Sequence, residues 1–147
     1  MKNIFWILLA LAAGAMLPIQ AGLNTRLGKA AGNAVYASLI SFIVGGLALI
    51  IYIILTRQEG TFAGVRSAPV IDWTGGILGA FYVTVIILAF PRIGPAMTFG
   101  LIVAGQMIMS VVLDHTNILV AQQHSFNLYR LLGIALIIGG VVILRKF

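Results

Sequence analysis

The chain has 147 residues, of which 61% are hydrophobic and 8% are charged, and its mean hydropathy is +1.13. Soluble domains carry about 25% charged residues, so these values exclude a soluble fold, and so apolar a chain is not disordered. The net charge is +6, but the nine Lys and Arg residues are spread along the chain and form no patch, which argues against nucleic-acid binding. A small polytopic membrane protein remains.

Five apolar stretches are long enough to cross a membrane, since a transmembrane helix needs about 20 mostly apolar residues. The alternation of apolar and polar residues that a membrane barrel requires is absent, so we predict an all-α integral membrane protein with one five-helix domain. The predicted spans are residues 4–23, 34–56, 71–90, 95–113 and 128–144.

The first span has features that are also typical of a signal peptide, because Lys2 precedes an apolar run that ends in small residues. Apolar residues continue to Leu23 and four more spans follow, so a retained helix is the simpler interpretation. Pro18 is expected to kink this helix. The polar residues at its end, Gln20, Asn24 and Arg26, are predicted to line a cavity or, alternatively, to contact lipid headgroups.

Spans two and three contain polar and small residues. Tyr36, Ser38 and Ser41 are polar positions near one end of span two. Gly75 and Gly79 have the small-xxx-small spacing that favours close helix packing. Tyr82 follows them and is a candidate for the cavity wall, although buried tyrosines usually only satisfy a hydrogen bond.

Span four has the most informative pattern, in which Gln106, Ser110 and Asp114 recur every four residues and form one polar stripe. Three aligned polar groups favour a wet surface over simple contacts between helices. Asp114 is the acidic residue of the stripe, and it is therefore the candidate for proton coupling or gating. Asp114 and Arg26 are expected to lie at different depths within one chain, and a pairing across an antiparallel dimer is the alternative.

Span five lacks polar residues between Leu131 and Leu144 and is predicted to be a scaffold or a dimer interface. Its small residues are Gly133, Ala135, Gly139 and Gly140.

His115 and His124 lie in the loop before span five and lack the spacing of a metal motif. No nucleophile with a neighbouring base and no phosphate-binding loop is present, so we expect neither an enzyme nor a cofactor.

The positive charges are almost balanced between the two sides of the membrane. With five spans, Lys2, Arg57, Arg66 and Arg130 fall on one side, and Arg26, Lys29, Arg92, Arg145 and Lys146 fall on the other. This balance leaves the positive-inside rule little bias, so both orientations and an antiparallel homodimer are expected. A shifted boundary of the first span would change the count.

Several segments in order along the chain resemble the YdcZ-type family of the drug/metabolite transporter superfamily. They are residues 20–28 (QAGLNTRLG), 37–42 (ASLISF), 79–83 (GAFYV), 103–106 (VAGQ) and 113–115 (LDH). The resemblance implies a bacterial cytoplasmic-membrane protein of five helices, similar to one half of ten-helix members with inverted repeats. It also implies that the first four helices line a substrate cavity and that the fifth is a scaffold.

The favoured hypothesis is a secondary transporter that moves a small metabolite or drug-like solute by alternating access, embedded in lipid as an antiparallel homodimer. The four-helix small multidrug-resistance relatives use a glutamate in the first helix, whereas span one here has no carboxylate. That departure argues against their proton-coupled export of lipophilic cations. A non-transporting subunit that needs a partner chain and a channel are the alternatives.

Overall fold

A computed structural model describes residues 2–60, 62–119 and 127–146. Five of the described helices are long and apolar enough to span a membrane, which confirms the predicted all-α membrane fold. They are α1 (Lys2–Ala30), α2 (Ala34–Thr56), α4 (Gly75–Ile93), α5 (Pro95–Thr116) and α6 (Leu128–Lys146), and a short helix, α3 (Phe62–Arg66), lies between α2 and α4.

Helix α1 continues to Ala30 rather than ending near residue 23, so Asn24 and Arg26 belong to the helix itself. The helix is continuous through Pro18, although proline has no N–H to donate to the Gly14 carbonyl. The turn into α2 is short because Gly32 adopts a positive φ of 67°. Asn33 then caps α2, since its side-chain oxygen accepts a hydrogen bond of 2.8 Å from the Val35 N–H.

The connection from α2 to α4 contains ordered local structure. Helix α2 ends at Arg57, which adopts a left-handed conformation with φ 49°. The short helix α3 and a 3₁₀ turn over Val70–Thr74 follow before α4 begins at Gly75. Gly94, with φ 79°, separates α4 from α5, and Pro95 occupies the first turn of α5.

The chain divides by packing into two compact units, Met1–Pro91 and Arg92–Phe147. In the first unit, α2 is antiparallel to α1, because Asn24 bonds Ser41 while Gly28 lies against Ala37. Helix α1 approaches both neighbours at Gly28. A methyl group there would lie 3.2 Å from the Cγ2 atom of Ile87 and 3.6 Å from the Cβ atom of Ala37.

The second unit pairs α5 with α6 in antiparallel fashion. Gly100, near the start of α5, packs against Val141, near the end of α6, while Asp114 at the other end of α5 bonds Arg130. A methyl group at Gly100 would lie only 2.8 Å from the Cγ2 atom of Val141. Glycine at this position therefore permits the close approach of the two helices.

Most large apolar side chains of the described helices are exposed. The buried residues are small or medium-sized, among them Ala21, Ala37, Ile86, Ala104 and Val141. Such an inverted distribution is expected for helices whose outer surface is covered by lipid tails rather than water. The fold is therefore adapted to a bilayer.

Candidate functional site

An open cavity of about 640 Å³ lies on the first unit; α2 supplies seven of its nine lining residues, and α1 and α4 supply one each. Its polar lining residues are Gln20 on α1 and Ser41 and Tyr52 on α2. The remaining walls are apolar and are formed by Phe42, Gly45, Gly46, Ala48, Leu49 and Val83. The described lining thus combines apolar surface with three hydrogen-bonding side chains and carries no charged residue.

Two of the polar groups of the cavity are far apart along α2. Ser41 and Tyr52 are eleven positions apart on α2, which corresponds to about 16 Å along the helix axis. Gly45 and Gly46 lie between them and contribute no side chain. This absence of side chains opens the middle of the cavity wall.

Ser41 is held in position by α1. Asn24 is buried, with 7% of its surface exposed, and its Nδ2 atom donates a hydrogen bond of 3.1 Å to Ser41 Oγ. Gln20 and Asn24 are one turn apart, and both line a smaller void of about 10 Å³ between α1 and α4. That volume is close to the minimum that a single water molecule occupies.

A second polar contact joins α2 to α4 through two hydroxyl groups. Ser38 Oγ and Thr84 Oγ1 are 2.8 Å apart. Ser38 Oγ is also 3.1 Å from the Ala34 carbonyl oxygen, and Thr84 Oγ1 is 2.8 Å from that of Ala80. Two hydroxyl hydrogens serve three contacts, so one of these hydrogen bonds is unmade at any moment.

The structure brings together part of the predicted site in the first unit. Gln20 lines the main cavity, and Asn24 supports the cavity from behind. Arg26 is exposed beyond them on α1. Tyr82 does not line the cavity. The hydroxyl groups of Tyr82 and Thr25 are both buried and have no hydrogen-bond partner among the described residues.

The predicted stripe on α5 lies in the second unit. Gln106 and Ser110 are exposed there. Asp114 forms a salt bridge with Arg130, in which Arg130 Nη1 lies 2.8 Å from Asp114 Oδ2 and about a quarter of each side chain is exposed. The side-chain oxygen of Asn127, Oδ1, accepts a 2.9 Å hydrogen bond from the Arg130 backbone N–H and so helps to position the arginine. His124 lies outside the described residues.

Among the small residues predicted to pack helices, only Gly79 makes a close contact in the described structure. A methyl group at Gly79 would lie 3.3 Å from the Cζ atom of Phe42. Methyl groups at Gly75, Gly133, Gly139 and Gly140 would meet no described atom within 4 Å, and Ala135 is exposed. Their role as a dimer or helix interface therefore stays a prediction.

Sequence reasoning missed Tyr52, Arg130 and Gly100 as residues of a site or contact, and noted Ser41 only as polar. Gly100 and the buried Ala104 have the small-xxx-small spacing that could have revealed the helix contact. Arg130 was visible only as a charge at the start of the fifth span. Tyr52 stands among apolar residues and has no distinguishing pattern.

Five helices long and apolar enough to span a membrane define a multi-pass membrane protein, and its first unit carries a cavity lined by polar and apolar residues. The chain belongs to the family described as "Putative inner membrane exporter, YdcZ", whose model matches residues 5–143. It is similar to "Inner membrane protein YdcZ" of Escherichia coli (strain K12), with 29% identity over 143 residues and 92% of each chain covered. No solved structure matches the chain.

Membership confirms the family resemblance carried by the sequence segments and places the protein in the inner membrane as a multi-pass protein. A transporter role, with contact to lipid and to a small-molecule substrate, follows from the same membership.

Proposed function

We propose that this protein exports a small, neutral, amphipathic solute by alternating access, and that the cavity bounded by α1, α2 and α4 receives the solute. The observation that carries the proposal is the cavity of about 640 Å³ in which Gln20, Ser41 and Tyr52 stand among apolar walls. Cavities that bind small molecules usually have volumes of about 300–1,000 Å³ and a few polar groups in an apolar lining.

The polar lining favours a solute over a lipid tail as the occupant. A glutamine, a serine and a tyrosine facing hydrocarbon lose hydrogen bonds, and each such loss raises the free energy of the folded state. A solute with its own donors and acceptors, or water between transport cycles, satisfies these groups. An acyl chain does not.

The absence of charged residues from the described cavity lining favours a neutral solute. An ion in this low-dielectric position would lack a counter-charge from the lining, and an unpaired charge away from water is costly. Neutral compounds that combine an aromatic or aliphatic body with an amide or hydroxyl group match the lining best.

The oligomer proposed is an antiparallel homodimer of oppositely inserted chains. Four positive residues lie towards one side of the membrane and five towards the other, with Arg26 and Lys29 in the last two turns of α1, and this balance supports insertion in both orientations. Many transporters have inverted symmetry because one chain contains two inverted repeats. Two oppositely inserted copies of this chain would have the same symmetry. Carboxyl-terminal reporters that are active only in the cytoplasm or only outside it test this point: signal from both supports the antiparallel homodimer, and signal from one contradicts it.

Energy coupling is assigned to Asp114. Its carboxylate lies in the last turn of α5 and Arg130 lies in the first turn of α6, so each charge stands at the helix end whose dipole disfavours it. The salt bridge offsets both unfavourable positions. Protonation of Asp114 would remove that compensation, and the contact between α5 and α6 would loosen. Binding of a proton to Asp114 would therefore be coupled to a conformational change.

Counterflow in liposomes tests the export function without knowledge of the energy source. Purified protein is reconstituted, and exchange of labelled solutes is measured for benzamide, for its cationic analogue benzamidine and for its anionic analogue benzoate. We expect exchange of benzamide alone, reduced severalfold by Gln20→Leu and unchanged by Ile19→Leu at the exposed neighbouring position. Failure of a folded wild-type protein to exchange any of the three would contradict the proposal and favour a subunit that requires a partner chain.

A further inference from the structure

The aromatic ring of Phe42 forms one wall of the cavity and rests against a glycine of the next helix. Phe42 lines the cavity from α2, and 43% of its surface is exposed. A methyl group at Gly79 of α4 would lie 3.3 Å from the Cζ atom and 3.6 Å from the Cε1 atom of the ring. Gly79 itself is not part of the lining, so it lies behind the ring as seen from the cavity.

The ring has room to move on the cavity side. Gly45 and Gly46, three and four positions after Phe42, share its face of α2 and bear no side chain that would hold the ring in place. On the opposite side the ring meets the α4 backbone at Gly79, whereas the space beside Gly45 and Gly46 is open, since methyl groups there would meet nothing within 4 Å.

We propose that Gly79 sets the width of the cavity through Phe42, and so limits the width of solute that the protein accepts. A side chain at position 79 would force the ring a few tenths of an ångström or more into the cavity, because the 3.3 Å separation is shorter than ordinary van der Waals contact. This inference rests on the proposed function, in which the cavity binds the solute. It assigns Gly79 as a positioning residue and Phe42 as the residue that meets the solute.

The competing interpretation of Gly79 is that it packs helices together with Gly75, as their spacing suggests. That interpretation predicts the same effect from Gly75→Ala and Gly79→Ala. In the described structure a methyl group at Gly75 or at Gly76 meets nothing within 4 Å. Both positions therefore supply matched controls on the same helix, with the same change in helix propensity.

The absence of native cysteine allows a single thiol to report on the cavity. Ala48→Cys places a thiol in the lining of α2 without a large change in volume. The rates of alkylation by narrow N-ethylmaleimide and by wide N-(1-pyrenyl)maleimide are compared in the otherwise wild-type protein and in Gly75→Ala, Gly76→Ala, Gly79→Ala and Phe42→Leu backgrounds. Each variant is first checked for an intact fold by its thermal melt.

We expect Gly79→Ala to lower the ratio of wide to narrow alkylation severalfold, Gly75→Ala and Gly76→Ala to leave it unchanged, and Phe42→Leu to raise it. An unchanged ratio in folded Gly79→Ala, or equal changes in all three glycine variants, would overturn the proposal. If Gly79→Ala does not fold, the test rests on the ratio of wide to narrow alkylation in Phe42→Leu. A ratio that does not rise in this variant also overturns the proposal.

Protection of the thiol by bound solute extends the test to selectivity. Anthracene-9-carboxamide is wider than benzamide, so Gly79→Ala should lose protection by the former and keep protection by the latter. Equal protection by both amides in Gly79→Ala would contradict the width limit. If neither amide protects the otherwise wild-type protein, the proposed binding function fails, whereas the alkylation ratios still report the width of the cavity.

Discussion

Asn24 Nδ2 donates a hydrogen bond of 3.1 Å to Ser41 Oγ, and this bond joins α1 to α2 at the wall of the cavity. The donor is buried while the acceptor lines the cavity, so in the proposed site Asn24 would act on a solute only through Ser41. The pair connects the packing of two helices to the chemistry of the site.

Removal of either partner is expected to weaken both stability and solute binding. Hydrogen bonds between membrane helices contribute about 0.6 kcal/mol on average and up to about 1.7 kcal/mol, so Asn24→Leu and Ser41→Ala should each lower the free energy of unfolding in bicelles by an amount in this range. The double variant should lose less than the sum of the single losses. Thr25→Val is the matched control, because Thr25 is equally buried and its hydroxyl has no described partner. Strict additivity would show that the two residues do not interact.

The contact between Gly100 and Val141 predicts a position-specific effect of alanine on α5. Gly100→Ala places a methyl group 2.8 Å from the Cγ2 atom of a β-branched side chain, and overpacking of this kind costs about 1–3 kcal/mol. Gly105→Ala on the same helix meets open space, and it should be neutral or stabilising because alanine favours helices. Unfolding measured for both variants tests the contact. Equal stabilities would contradict the close approach of α5 and α6.

Substitution of Asp114, which pairs with Arg130, is predicted to abolish energy coupling while solute exchange continues. Asp114→Asn removes the group to which we assign proton coupling, so solute accumulation driven by a pH gradient should be lost while counterflow continues. Asp72→Asn, at an exposed acid preceding α4, should retain both activities. Accumulation assays with and without an imposed pH gradient measure the difference. Gradient-driven accumulation by Asp114→Asn would contradict the assignment.

Composition and helix length were sufficient to predict the fold. A stretch of about 20 apolar residues has no alternative to a helix in lipid, so the five spans follow from the sequence. The end of α1 was harder to predict, because residues 24–30 are polar enough to resemble a loop yet remain helical up to Ala30. Polarity marks the depth of a segment in the membrane and does not decide whether it is helical.

The candidate site was predictable only as faces of single helices. The four-residue spacing of Gln20 and Asn24 correctly placed both on one side of α1. Periodicity does not reveal which residue on another helix meets such a face, so the bond to Ser41 and the salt bridge to Arg130 became visible only in the structure. The contact of Gly79 with Phe42 was hidden for the same reason, since the glycine spacing alone suggested a helix interface.

A cavity that receives a solute must be a water-accessible site rather than a lipid-filled groove. Maleimide reacts with the thiolate, which forms only where water is present, so alkylation rates distinguish the two environments. The decisive measurement compares the rates at which N-ethylmaleimide alkylates Ala48→Cys and Ile50→Cys in vesicles. Ala48 is in the cavity lining. Ile50 is absent from the lining and lies about 200° away around α2, at nearly the same height along the helix. We predict that Ala48→Cys reacts at least about an order of magnitude faster than Ile50→Cys, because only the cavity position meets water. Equal, slow reaction at both positions would contradict a solute site in this cavity.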